Sequence, residues 1–221
     1  MSLIPFRIVS RLARASRGAV AVIALACGAM APALAADTYV IDVGHSNVGF
    51  SVRHFFSKVP GQFTKYEGTI VLDTQDMTRS SVNVSIDTAS ITTNIADRDK
   101  HLKSADFFDV EKFPKMTFAS SKVTAVSATR LTVEGTLTIK GVSKPVTLDV
   151  DLLGSGPDAW GGYRGGFEAR TKVNRQDYGV AWNKVMEGGG TMLGDDVEVT
   201  LNVEAIRQAP KPPEAAPKKS S

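Results

Sequence analysis

The chain has 221 residues, with 26 Lys+Arg against 23 Asp+Glu, 43% apolar residues and one cysteine. The excess positive charge comes from four arginines in residues 1–35, which contain no acid, so the remainder carries 22 basic against 23 acidic groups. That balance excludes a global basic field for nucleic acid. The only cysteine, Cys27, also lies in the first 35 residues, so the rest of the chain must be stable without disulfides.

Residues 1–35 read as a signal peptide and imply export to the periplasm. Arg7, Arg11, Arg14 and Arg17 form a basic start, Ala19–Met30 an apolar run, and Ala33-Leu34-Ala35 a small-residue cleavage site. The apolar run is short for a membrane span, which needs roughly 20 residues. A single domain is expected over 36–207. The last stretch, 208–221, is a Pro/Lys-rich segment with no apolar period and reads as a flexible tail.

Within the domain, strand patterns dominate. Val48, Phe50 and Val52 alternate with Asn47, Gly49, Ser51 and Arg53. Tyr66, Ile70 and Leu72 form the next apolar set, followed by Val82, Val84 and Ile86. Later sets are Leu131/Val133/Leu137/Ile139, Val146/Leu148/Val150/Leu152, Phe167/Ala169/Thr171/Val173 and Val197/Val199/Leu201/Val203. Turn chemistry separates them at 73–81, 140–141, 154–162 and 187–196. Strands with one apolar face at this spacing predict an antiparallel sandwich or a closed barrel.

One segment breaks the rhythm: DRDKHLKSADFFDVEKFP, residues 97–114. Its charge spacing predicts a short helix capped by Asn94, with Asp97–His101 and Asp99–Lys103 as i,i+4 pairs and Ile95, Leu102 and Ala105 on one face. Pro114, which closes the segment, pushes Phe113 into extended geometry, and Met116-Thr117-Phe118 resumes the strand pattern.

Chemistry-bearing patterns are sparse. Among His45, His54 and His101 no HxH or HExxH spacing occurs, and the odd separation of His45 and His54 puts them on opposite strand faces, so no metal site is expected. There is no G-x-S-x-G, and the glycine clusters do not open helices, so neither acyl transfer nor a phosphate cradle is indicated. No catalytic residue and no cofactor is assigned. His54 shares the parity of Val48, Phe50 and Val52, which fits either a backbone-bonded strand end or a polar group at the mouth of an apolar cavity. His101 allows the same two readings. Phe50, Phe55, Phe63, Tyr66, Phe107, Phe108 and Phe118 concentrate in the first half, which suits a long apolar guest.

The segments TASITTNIADRDKHLKSADFFDVEKFPKMTF (88–118) and GTLTIKGVSKPVTLDV (135–150) resemble the YceI-like family of periplasmic lipid-binding proteins. YVIDVGHSNVGFSVRH (39–54) and WGGYRGGFEAR (160–170) support the resemblance, which covers 37–206. It implies an all-β fold, an eight-stranded antiparallel lipocalin-like barrel with a short helix near one end. It implies an interior pocket for an isoprenoid lipid or isoprenoid quinone, which the protein would carry, store or sequester. The residues expected to line that pocket are Phe50, Val52, His54, Phe55, Phe63, Tyr66, Ile86, Ile91, His101, Phe107 and Phe118. Arg98, His101, Leu102, Ser104, Asp106 and Phe107 match the family pattern in the segment that closes the barrel. Transient membrane contact and a monomer or homodimer are expected. The alternatives are an enzyme of lipid or quinone metabolism using His54 or His101 as base, and a ligand-free, surface-acting stress-response barrel.

Overall fold

The computed structural model of the protein describes residues 36–209. The predicted signal peptide with Cys27, and the tail from residue 210 onward, lie outside the described residues.

Eleven strand segments follow one another along the chain. They are β1 (Asp37–Ile41), β2 (Asn47–His54), β3 (Ser57–Phe63), β4 (Tyr66–Leu72), β5 (Ser81–Asp87) and β6 (Ile91–Thr92), then β7 (Lys115–Ala125), β8 (Arg130–Ile139), β9 (Val142–Pro157), β10 (Tyr163–Asn174) and β11 (Leu193–Arg207). One helix, α1 (Ala96–Lys103), lies between β6 and β7.

Three breaks reduce the segments to eight staves. A 3-10 turn at Val43–His45 separates β1 from β2, Thr64-Lys65 separates β3 from β4, and a 3-10 turn at Thr88–Ser90 separates β5 from β6. Each stave pairs antiparallel with the next along the chain, and β1 and β2 both pair with β11, so the last stave closes on the first. The result is a closed eight-stranded meander barrel. Closure removes both sheet edges, which would otherwise be open to pairing with other chains.

The breaks lie side by side and form a seam. Asp37 faces Leu72 on one side of it and Val48 faces Phe63 on the other, so the register moves by two residues across the first pair of staves. At the seam Asp42 Oδ1 accepts from the Gly44 amide at 3.0 Å, which fixes the first 3-10 turn in place of the ladder.

Apolar alternation decides the inside. The runs read from the sequence all point into the lumen, where Val48, Val133, Leu148, Val173 and their neighbours form the core. Two glycines keep that lumen open. A Cβ on Gly61 would stand 2.2 Å from the Phe50 ring, and one on Gly135 would stand 2.5 Å from Phe118 and from the Ala119 carbonyl. Each phenylalanine therefore lies over a glycine on the barrel wall.

Topology gives the barrel two different ends. Tyr39, Leu72, Phe167 and Ala205 plug one of them, with Met77 packed against the plug. The other carries α1, the two-residue turns β2–β3 and β8–β9, and the long segment 175–192.

Several expectations are corrected. Strands β9 and β11 run further than their glycines and acids foretold, so the turns at 154–162 and 187–196 shrink: β9 continues to Pro157 and β11 starts at Leu193. Neighbouring strands supply ladder bonds that outweigh local turn preference. Asn94 is not the helix cap; it has φ +61, and the cap position falls on Ile95, which has no side-chain cap bond. Ile95 is exposed instead of facing inward with Leu102. The pairs Asp97–His101 and Asp99–Lys103 do not form. His101 Nε2 meets Asp106 Oδ2 at 2.8 Å, while Asp99 accepts from Thr92 Oγ1 at 2.7 Å and from the Thr93 amide at 2.7 Å. An exposed i,i+4 pair contributes only about 0.3–0.5 kcal/mol, too little to compete with bonds that tie the helix to β6.

Candidate functional site

The barrel encloses a cavity of about 600 Å³. Its deep half is walled mainly by aliphatic side chains: Val123, Leu131, Val133, Leu148, Val150 and Ala169, with Phe118 among them. Nearer α1 the wall turns aromatic. Phe50 and Phe63 rings are 5.8 Å apart, Phe63 and Phe108 meet edge-on at 5.7 Å, and Phe107 and Trp182 lie 5.3 Å apart. His54, Asp97, Arg98, His101 and Arg175 join the lining at this end. The end bearing α1 is thus the mouth, and polar groups there meet an otherwise apolar interior.

The mouth is held by two polar struts. In the first, Arg98 donates from Nε to Thr93 Oγ1 at 2.7 Å and from Nη2 to the Thr93 carbonyl at 3.1 Å, beside the Asp99 contacts. Burial pushes the Asp99 carboxyl up, but hydrogen bonds from Thr93 and Thr92 outweigh it and leave the group below the usual carboxylate range. The second strut is Arg175, only 6% exposed. It donates to the carbonyls of Gly194 at 2.8 Å, Val180 at 2.6 Å and Trp182 at 2.8 Å, and Nη2 reaches Asp195 at 3.3 Å. Burial pulls the Arg175 guanidinium down from its usual value, with Asp195 opposing. These bonds fold 175–194 over the barrel end and set Trp182 against His101, ring centroids 4.9 Å apart.

Nine of the eleven residues expected to line a pocket do border this cavity: Phe50, Val52, His54, Phe63, Ile86, Ile91, His101, Phe107 and Phe118. Two do not. Tyr66, paired with Ile86, is buried in the core without bordering the cavity, and Phe55 sits exposed in the β2–β3 turn. Trp182, Arg175 and Met192, all in or beside the long segment, border the cavity without having been foreseen. The apolar stretch GVAWNKVM within a region of turn residues is the signal that could have marked the segment. His101 has Asp106 on Nε2, and Phe107 and Trp182 edge-on to its ring, so it is packed on both sides.

A second cluster lies at the seam on the outer wall. Asp42, His45 and Glu204 bring ligand-type atoms close together, but Arg164 Nη1 already stands 2.6 Å from Asp42 and 2.5 Å from Glu204. Its Nε also reaches Asp158 at 3.0 Å. The cation at this site is the guanidinium, which ties β10 and β11 to the first 3-10 turn.

Comparison with known proteins gives a consistent picture. A UPF0312 protein of Serratia proteamaculans is 42% identical over 195 residues, covering 84% of this chain and 96% of the relative. The crystal structure of the Campylobacter jejuni YceI protein is 33% identical with a TM-score of 0.62, covering 70% of this chain and 88% of that one. A polyisoprenoid-binding domain from Saccharophagus degradans shares the fold at 16% identity and TM-score 0.54, over 77% of this chain and 98% of that one. The model of the YceI-like domain matches residues 39–205, and the chain accordingly belongs to the YceI-like family.

Proposed function

We propose that the protein is a periplasmic binding protein that holds the chain of a polyisoprenoid or isoprenoid quinone in its barrel without transforming it. The observation that carries this reading is the cavity: about 600 Å³, apolar over nearly all its wall, with charged groups gathered at one end. That distribution is complementary to an amphiphile with one long chain and a small head. Each buried methylene contributes about 0.8 kcal/mol. Fifteen chain carbons then give roughly 12 kcal/mol, against association costs of 4–15 kcal/mol. A structural neighbour bears the name of a polyisoprenoid-binding domain, which supports the choice of guest. Export rests on the leader-like pattern of residues 1–35.

The cavity speaks against a solid barrel acting through its surface. Turnover by His101 lacks a nucleophile: its neighbours are the Asp106 carboxylate and the rings of Phe107 and Trp182, none of them a hydroxyl or thiol. The test is native mass spectrometry of the protein from its own compartment, followed by organic extraction. A stoichiometric prenyl compound, recovered unchanged after incubation, is the expected result. Protein that carries no lipid and takes up no added polyprenol overturns the reading.

A further inference from the structure

The polar side chains that border the cavity divide by what already holds them. The charged ones are Asp97, Arg98 and Arg175, all at the mouth. Arg175 is spent on three backbone carbonyls and Asp195. Arg98 is half spent on Thr93, and the Asp97 carboxylate borders the same opening. Behind them Asp99, Asp106 and Asp195 are set against Lys103 and Lys140. No surplus of positive charge faces the lumen.

The uncommitted groups are of another kind. Thr171 lies on β10 between Ala169 and Val173, which both border the cavity, while Arg170 and Lys172 face out. Its hydroxyl has no hydrogen-bond partner among the described residues, yet every sealed side-chain polar atom there has one. The Thr171 oxygen is therefore open to the cavity. Opposite it stands Val199, and opposite that Phe50, so the hydroxyl marks the level where the aliphatic deep half meets the aromatic half. Tyr178, 2% exposed, borders the cavity nearer the mouth, its hydroxyl likewise without a partner. Burial pushes that phenol up, which keeps it an O–H donor. His54 adds an imidazole whose ring nitrogens have no partner among the described residues. At the plugged end the polar lining is limited to the Ser80 and Ser81 hydroxyls.

A hydroxyl in an apolar wall costs free energy unless something bonds it, and valine has nearly the same outline. An oxygen of the guest would supply the missing acceptor. A phosphate ester, carrying about −1.5 to −2 charges, would instead enter a space with no surplus cation, and burying unpaired charge is far more costly than burying a neutral oxygen. We propose that the lumen selects an uncharged oxygen head, a hydroxyl or a quinone carbonyl, against the phosphate ester of the same chain, and that Thr171 and Tyr178 are the donors that read it. This rests on the cavity holding a prenyl chain and deepens that reading.

The test is competition. Delipidated protein loaded with a fluorescent prenyl probe is titrated with a prenyl alcohol, a benzoquinone bearing the same tail, the prenyl monophosphate and the prenyl hydrocarbon without oxygen. The stronger of alcohol and quinone names the guest's head, and it is expected to compete at least tenfold better than the monophosphate. Thr171→Val and Tyr178→Phe are each expected to weaken that neutral competitor at least threefold and to leave the hydrocarbon unchanged, a split that a merely structural role would not produce. A monophosphate that competes as well as the neutral heads overturns the selection. Neutral head and hydrocarbon weakening in step, or neither weakening, overturns the donor role. If no prenyl compound displaces the probe, the cavity reading itself falls and this proposal with it, a result distinct from the other two.

Discussion

Ala169 offers the cleanest way to separate the cavity from the barrel that surrounds it. It sits in β10, opposite Val150 of β9 and Leu201 of β11, and its methyl borders the deep half of the cavity. Replacing it with Trp places an indole in space that is empty, so the overpacking cost of about 1–3 kcal/mol for a filled core does not fully apply. The guest loses the room the indole takes. If that room is about four methylenes at ~0.8 kcal/mol each, affinity falls by about 3 kcal/mol, more than a hundredfold. The assay is displacement of a fluorescent polyprenol analogue, with thermal unfolding followed by circular dichroism to show that the barrel persists. Affinity within threefold of the wild type, in a variant with unchanged unfolding temperature, would mean that the guest does not use the deep cavity, and the reasoning fails.

Two further expectations concern the scaffold. Arg175→Met strips donors from three backbone carbonyls at the mouth and leaves Asp195 without its guanidinium. At about 1 kcal/mol for each stranded acceptor the loss is about 3 kcal/mol, which lowers the unfolding temperature by roughly 10 °C for a domain of this size; a shift under 2 °C refutes the strut. At the seam, the Arg164 guanidinium, with His45 beside it, holds the Asp42 carboxyl down from its ordinary 3.8 to about 2. A depressed carboxylate contributes stability above its unfolded value, and that contribution fades as pH falls from about 4 to about 2. Asp42→Asn should therefore be less stable than the wild type at neutral pH, with the gap closing across that acid window. A gap that stays constant in urea titrations from pH 6 to pH 2 refutes the assignment.

Much of the barrel was legible in the chain because strand alternation is a local property with period two. Val48/Phe50/Val52 and Leu131/Val133/Leu137/Ile139 declare their inner face whatever they pack against, and the structure places both sets on the lumen. The two-residue turn at Lys140-Gly141 was equally local, since glycine there answers a backbone demand. The periodicity left sandwich and barrel both open. Closure depends on Tyr39 facing Arg207, a pairing 168 residues apart along the chain that no window of sequence contains.

The mouth was less legible for a related reason. Asp97–His101 and Asp99–Lys103 satisfied helix spacing, but worth tenths of a kcal/mol they yielded to Asp106, Thr92 and Thr93, which only the docked helix brings near. Arg175 and Trp182 lie in a segment without period, so nothing local marks the carbonyls one holds or the ring the other meets. Phe55 shared its sequence neighbourhood with His54 and was expected inside; the turn's backbone angle sends it to the rim. The sequence by itself determined which faces are apolar and, at 73–81 and 140–141, where the chain turns. The tertiary structure decided that eight such faces close around an unfilled space, because cavity and mouth are properties of distances between staves and not of any one of them.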